Sequence, residues 1–154
     1  MAVFQPVVFK LNEEKYGIDI KHVNGIEREH SIIRVPNTSS TIKGIINLRG
    51  DVIPVIDLKA KFGTVAAQNM KTELIIVNVD TGFLALEVDG VDEIQYIDVD
   101  NVVEMPVIAK GEGVEYFEKI AKVNGNLIIM INPHKLLSDA ETEHVETLTS
   151  NSAE

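Results

Sequence analysis

The side chains that could carry out catalysis do not stand at catalytic spacings in this 154-residue sequence. The absence of cysteine excludes disulfides, thiolate nucleophiles and thiolate metal ligands. No two histidines have the i, i+4 spacing that would place both imidazoles on one helix face, and none lies beside an obvious nucleophile. The histidines are His22, His30, His134 and His144. We interpret them as solvated or capping residues.

Sequence motifs for metal and phosphate binding are also incomplete. The segment Asp-Val-Asp-Asn at residues 98–101 resembles the start of a calcium loop, but the glycine and the terminal glutamate of such a loop are missing. No glycine-rich segment has the pattern that cradles a phosphate between a strand and a helix. We therefore predict no catalytic residue, no metal site and no cofactor, and the protein is not expected to be an enzyme.

Arg49 stands at the corner of a segment that is otherwise mostly apolar, residues 44–58. The segment predicts one β-hairpin, in which Gly50 supplies the positive φ that a tight turn often needs. The residues assigned to this structural turn are Gly44, Asn47 and Gly50. A turn needs no arginine, so Arg49 is either a solvated tip or a directional donor to a partner. Pro54 lacks an N–H and predicts an edge strand or a bulge.

Composition limits the classes of protein to consider. A chain of 154 residues with 45% hydrophobic residues can form one or two small packed units. The net charge of −10 argues against nucleic-acid binding, which requires clustered lysines and arginines. The N-terminal segment does not resemble a signal peptide, and the apolar runs are too short to cross a bilayer. We expect a cytoplasmic protein without direct membrane insertion.

Short apolar runs separated by turn residues predict a mainly β fold. Strands are predicted at residues 7–11, 16–20, 73–79, 83–88, 93–97, 116–123 and 127–131, in addition to the hairpin, and residues 59–70 form a connector of weak pattern. The pair Asn124-Gly125 predicts a hairpin corner. Asn132-Pro133 predicts the start of a short C-terminal helix through Leu137. The acidic tail, residues 139–154, is expected to be disordered, which leaves residues 1–138 as the folded part.

Two elements recur in the same order along the chain. Residues 16–26 and 84–94 share an apolar pattern whose spacing changes from two to three at the same point. The hairpin around Gly50 has a counterpart around Gly125, where Asn124 stands at the position of Arg49. This repeat favours two similar β-units, such as two small barrels packed face to face.

These segments together resemble the CheW family, the coupling proteins of bacterial chemotaxis. The most specific match is Ile-Lys-Gly-Ile-Ile-Asn-Leu-Arg-Gly at residues 42–50, followed by Val-Ile-Pro-Val-Ile-Asp-Leu at residues 52–58. Supporting matches are Tyr-Gly-Ile-Asp-Ile at residues 16–20, Val-Asp-Gly-Val at residues 88–91, and Ile131-Asn132 before Lys135-Leu136-Leu137. The resemblance covers about residues 5–137.

The resemblance implies two interlaced SH3-like five-stranded β-barrels. It also implies a non-catalytic adaptor, a monomer in isolation, that links chemoreceptor cytoplasmic tips to the CheA histidine kinase in membrane-associated arrays. The positions that match the family's receptor contact are Ile20, Val23, Ile26 and Arg49. The kinase contact is expected at barrel edges, through the kinase's own CheW-like domain.

One position departs from the family pattern, and one alternative function remains. Relatives often carry an acidic residue two places after the valine, where this chain has Gly25. For Val23 and Ile26, packing in the core is the alternative to an interface role.

The alternative to an adaptor function is a small β-barrel enzyme or ligand-binding protein that uses Asp57, Glu87 or a histidine in a pocket between the barrels.

Overall fold

The computed structural model describes residues 3–28, 31–35, 40–63, 72–80, 82–104 and 116–137, with the side chain of residue 93 excepted. The strands are β1 (Val3–Phe4), β2 (Pro6–Leu11), β3 (Glu14–Asp19), β4 (Val23–Glu27), β5 (Ile42–Leu48), β6 (Asp51–Asp57), β7 (Glu73–Val79), β8 (Gly82–Val88), β9 (Gly90–Ile94), β10 (Ile97–Asp98), β11 (Val102–Glu104), β12 (Phe117–Val123) and β13 (Asn126–Ile131). One short α-helix, α1, spans Leu58–Lys61, and 3-10 turns span Ile20–His22, Val99–Asn101 and Pro133–Lys135.

Two sheets contain most of these strands. The five-stranded sheet has the order β4-β7-β8-β6-β5, and the six-stranded sheet has the order β11-β12-β13-β3-β2-β9. Strands from near the two ends of the described part of the chain meet in the six-stranded sheet, where β3 and β13 pair in parallel. The predicted mainly β fold is therefore confirmed; one large sheet has five strands and the other has six, and β1 and β10 form a separate two-stranded sheet.

Successive side chains of a strand point to opposite faces, and here both faces of several strands are buried. On β7, Ile75 and Val77 enter a central core to which both sheets contribute, whereas Leu74 and Ile76 enter a core within the five-stranded unit. A third core lies against the six-stranded sheet and also includes Ile97 of β10; its other buried members are Val8, Ala121, Ile128 and Met130. Burial on both faces explains why these strands have continuous apolar runs in place of strict alternation.

Most strand boundaries agree with the sequence, and four predictions need correction. Residues 93–97 do not form one strand, because β9 ends at Ile94 and β10 begins at Ile97. The weak connector begins with α1, whose N-cap is Asp57. The C-terminal helix begins after Asn132 as predicted, but it is a 3-10 turn that ends at Lys135. The predicted acidic tail lies outside the described residues.

Pro54 does not mark an edge strand, which is the fourth correction, but the other predicted alternative, a bulge, lies nearby in the partner strand, where the β5–β6 pairing shifts between Ile42 and Gly44. Its strand, β6, lies between β5 and β8. The opposite residue on β5, Ile45, exchanges both backbone hydrogen bonds with Ile33, so the backbone polar groups of Pro54 point away from β5. Pairing with β8 begins only at Val55. The missing N–H of Pro54 therefore interrupts neither ladder.

Candidate interaction surface

The 3-10 turn Ile20–His22 connects β3 to the edge strand β4. Asp19 caps this turn by accepting a hydrogen bond from the backbone N–H of Lys21 at 3.1 Å. The N–H of Ile20 donates to the carbonyl of Gln5 at 2.9 Å, which ties the turn to the N-terminal side of β2. The side chain of Ile20 packs, partly buried, against the central core. The turn thus holds Ile20 beside the start of β4.

A register shift places Val23 and Ile26 on one face of the sheet. Val23 lies opposite Val77 and Ile26 opposite Ile75, both of which belong to the central core, and the β4–β7 pairing shifts between Val23 and Gly25. Without the extra residue, two positions three apart would point to opposite faces. Val23 is half-buried against the core, whereas Ile26 is 38% exposed. We call Ile20, Val23 and Ile26 the apolar rim.

Gly25 lies within β4 and has open space where a side chain would stand. A Cβ built on this glycine would meet no heavy atom within 4 Å. The backbone does not need glycine for a positive φ at this position. Space and backbone conformation would therefore both accept a larger side chain at this position.

Arg49 occupies a backbone conformation that suits asparagine or glycine better than arginine. Its φ is +53° and that of Gly50 is +89°, and the second hairpin has nearly the same values, +50° at Asn124 and +81° at Gly125. Such paired positive φ values are typical of a type I′ turn, where Asn-Gly is the preferred sequence. Asn47 accepts a hydrogen bond from the Gly50 N–H at 3.1 Å, across the corner of the hairpin.

The third residue assigned to the turn, Gly44, lies within β5, so its turn assignment is wrong. It is nevertheless a structural glycine. A Cβ at this position would overlap the carbonyl oxygen of Ile33, which belongs to the segment that pairs with β5 through Ile45. Close approach of two backbones, and not a turn, requires glycine here.

The guanidinium of Arg49 is exposed and forms no hydrogen bond or ion pair with any residue in the described ranges. Strand order places the Arg49 hairpin and the apolar rim at opposite edges of the five-stranded sheet. Ile20 and Val23 nevertheless lie at the same end of that sheet as the hairpin, whereas Ile26 lies further along β4, opposite Ile75. Strands β6 and β8 are parallel and begin at the end where β7 finishes, and β4 begins there because it is antiparallel to β7.

The residues of the alternative enzyme or ligand site have structural partners. Asp57 accepts from the backbone N–H of Ala60 at 3.2 Å and caps α1. Glu87 is buried and accepts from Lys43 Nζ at 2.7 and 2.8 Å. Within the described part of the chain, no three His, Asp or Glu side chains are grouped so that they could hold a metal ion. His30 and His144 lie outside the described residues.

Two histidines meet across the fold, which the sequence analysis did not anticipate. The rings of His22 and His134 pack edge to face with centroids 4.9 Å apart. Both line a cavity of about 370 Å³ together with Phe4, Val99, Glu118 and Met130. They meet because β3 and β13 are parallel neighbours, so the turns that follow the two strands lie at the same end. No local spacing could have revealed a pairing between residues so far apart in the chain.

Burial lowers the pKa of His22 below its ordinary value of 6.5, and the positive charges of a protonated His134 and of Lys21 lower this pKa further. The carboxylates of Asp19 and Glu118 oppose this effect to a smaller degree. His134 Nδ1 lies 3.4 Å from Asp80 Oδ1, at the corner between β7 and β8. The neutral ring is thus the favoured form of His22 near neutral pH.

None of the helices in the described ranges combines the length and the apolar character needed to cross a bilayer.

Comparison with known proteins identifies the family. A family model described as CheW-like domain matches residues 5–141. Chemotaxis protein CheW of Klebsiella aerogenes is 31% identical over 143 residues, which cover 92% of this chain and 86% of that protein. The corresponding protein of Treponema pallidum is 29% identical over 150 residues, with 94% and 88% covered. The scaffolding protein TtCheW from Thermoanaerobacter tengcongensis has a crystal structure that matches with a TM-score of 0.84 and 38% identity, covering 91% of this chain and 96% of that one. The chain therefore belongs to the CheW family of chemotaxis scaffold proteins.

Proposed function

We propose that this protein is a non-catalytic adaptor that couples chemoreceptor cytoplasmic tips to the CheA histidine kinase, in the cytoplasm at membrane-associated receptor arrays. The observation that carries the proposal is Arg49. Its guanidinium is exposed, has no partner within the described residues, and extends from a turn that would be more stable with asparagine. An exposed arginine in a turn that favours asparagine is best explained by a partner that binds it.

The receptor tip is proposed to contact Arg49 and the apolar rim, of which Ile20 and Val23 lie at the same end of the five-stranded sheet as Arg49. A helical hairpin presents apolar positions along one face together with carboxylates, and these match an apolar rim and a guanidinium donor. Ile26 is the most exposed member of the rim and supplies apolar area at the edge strand. Ile20 and Val23 are half-buried and pack against the central core, which holds this part of the surface in place.

The kinase contact is proposed at other sheet edges, through the kinase's own CheW-like domain. The edge strands besides β4 are β9 and β11 in the six-stranded sheet, and β5 in the five-stranded sheet, where Ile45 is already paired with Ile33. Edge strands expose unpaired backbone donors and acceptors, which a second sheet can extend. Separate edges would let one molecule hold a receptor and a kinase at once.

The test is binding of the purified protein to a receptor-tip fragment and to CheA, with kinase activity measured in the assembled mixture. The parent protein is expected to bind both partners and to stimulate the kinase in the presence of receptor. Arg49→Asn keeps the turn and removes the guanidinium. Receptor affinity should therefore fall by roughly tenfold, which is typical of the loss of one interface arginine.

The matched control is Lys122→Gln, which removes an exposed cation on β12, outside the five-stranded sheet. This variant should bind the receptor fragment as the parent does. No association with either partner at about 100 µM would refute the adaptor function. Equal losses in both variants would show that net charge, and not Arg49 itself, controls binding.

The cavity of about 370 Å³ keeps a second function open, that of a small-molecule binding protein. Thermal unfolding in the presence of a panel of metabolites and metal ions discriminates between the two functions. A saturable rise in melting temperature that is lost in His134→Gln would support a ligand site at the cavity.

A further inference from the structure

The contact between His22 and His134 adjoins Ile20 and Val23 of the apolar rim. His22 is the last residue of the 3-10 turn that begins at Ile20, and the next residue is Val23. His134 belongs to the turn that follows β13, and its contact with Asp80 reaches the corner between β7 and β8. Three segments that leave their sheets at one end are therefore joined through two imidazole rings.

We propose that the His22–His134 contact makes the apolar rim acid-sensitive, so that receptor binding weakens as the pH falls below about 6.5. This inference depends on the proposed function, because the receptor tip is the partner whose affinity would change. The groups that determine the response come from each element packed around the pair. They are Asp19 and Lys21 on the same turn, Glu118 and Lys119 on β12, and Asp80.

Protonation of His22 would place an imidazolium in a half-buried position, where His134 and Lys21 repel it. Asp19 offers limited compensation, since one of its carboxylate oxygens already caps the Lys21 N–H. The charged ring gains solvation by moving towards water. Because His22 and Val23 are adjacent in the chain, this movement displaces the turn and, with it, Ile20 and Val23.

The same linkage predicts a loss of stability in acid. In the folded protein the pKa of His22 lies below its ordinary value of 6.5, so the unfolded chain binds the proton more tightly. Stability therefore begins to fall when the pH drops below about 6.5 and continues to fall until the lowered folded-state pKa has been passed. Above that window His22 is neutral in both states and the effect is absent.

The first experiment is an NMR titration of the histidine ring protons and needs no binding partner. We expect the His22 signal of the parent protein to titrate below 6.5. In His134→Gln, which removes the repelling ring, the His22 midpoint should rise. An unchanged midpoint would overturn the proposed coupling. If His134→Gln failed to fold, Asp80→Asn would replace it. A change in the His22 midpoint would then support the coupling, and an unchanged midpoint would overturn it.

The second experiment measures receptor-tip affinity at about pH 7.5 and about pH 5.5 for the parent and for His22→Gln. The parent should lose roughly fivefold affinity at the lower pH, and His22→Gln should lose clearly less against the same fragment. His144→Gln removes an imidazole from the C-terminal tail and serves as the control. Equal acid losses in parent and His22→Gln would refute the inference, whereas absence of binding at pH 7.5 would refute the proposed function.

Discussion

Arg49 and Asn124 show at the scale of single residues how a shared turn can acquire a binding group. Both have φ near +50° and both precede a glycine with a larger positive φ. Asparagine tolerates this left-handed conformation because its short side chain can hydrogen-bond locally, whereas arginine gains no such compensation. The need for Gly50 could be predicted from the sequence, but the strained backbone of Arg49 could not, because arginine gives no sign of a positive φ.

Arg49→Asn should leave stability unchanged or raise it by up to about 1 kcal/mol, because asparagine relieves part of the left-handed strain. Urea unfolding monitored by circular dichroism measures the difference. Asn124→Arg is the reciprocal variant and should be destabilised by a similar amount. A clear loss of stability in Arg49→Asn would instead identify the guanidinium as a structural group.

Gly50→Val should destabilise the protein by about 1–3 kcal/mol, because a β-branched residue is forced to a positive φ. Gly25→Val is the matched control, since Gly25 lies in a strand with open space around the position of a Cβ. The control should unfold at the same urea concentration as the parent or higher. Equal destabilisation of both variants would show that the turn geometry at Gly50 is not the cause.

At the scale of elements, two register shifts position the residues that matter most. The shift in β4 brings Val23 and Ile26 to one face, and the shift between Ile42 and Gly44 in β5 leaves Lys43 as an extra residue. Lys43 reaches across β6 to the buried Glu87 of β8. The sequence predicted the strands from their apolar runs, and Pro54 indicated an edge strand or a bulge. Which residue of each strand is the extra one could not be predicted, because an extra residue has no distinct composition.

The buried ion pair should respond differently to the loss of each partner. Lys43→Met leaves Glu87 charged and only 8% exposed, so it should cost about 3 kcal/mol. Glu87→Gln should cost less, because Lys43 is 29% exposed and its ammonium can turn towards water. The double variant Lys43→Met/Glu87→Leu should recover most of the loss. Denaturant midpoints of the three variants provide the comparison, and additive losses would contradict this account.

Gly44→Ala should cost about 1–3 kcal/mol, because the new methyl group overlaps the carbonyl of Ile33. The two backbone hydrogen bonds between Ile33 and Ile45, both 2.8 Å long, should open first. Amide hydrogen exchange would then show reduced protection at these two residues, with the β7–β8 pairing unaffected. Uniform loss of protection across the sheet would indicate that the substitution acts globally.

At the scale of the whole molecule, the central core connects the two units. It contains side chains from both sheets. Five aromatic rings pack together where α1 meets β3 and β12, some stacked and others tilted or edge to face: Phe9, Tyr16, Phe62, Tyr116 and Phe117. The sequence repeat predicted two similar units. It could not predict that the core between the two sheets would be the largest. A strand buried on both faces shows the same apolar run in the sequence, whichever of its faces packs against the other sheet.

The two units should therefore unfold in one transition. Tyr16 and Tyr116 both belong to the aromatic cluster in the central core, so tyrosine fluorescence reports the contact between the units. Far-UV circular dichroism reports the sheets themselves. Both signals should have the same urea midpoint. A fluorescence change that precedes the dichroism change would show that the units separate before either one unfolds.

The path of the chain through the sheets also sets an order of assembly during synthesis. All strands of the five-stranded sheet lie between Val23 and Val88, so this sheet can form before the rest of the chain has left the ribosome. Strands β2 and β3 are made first, yet β3 gains its parallel neighbour only when β13 emerges. Until then β3 has an unpaired edge, which neighbouring chains could bind. We expect chaperone capture and aggregation of the nascent chain to concentrate on this hairpin.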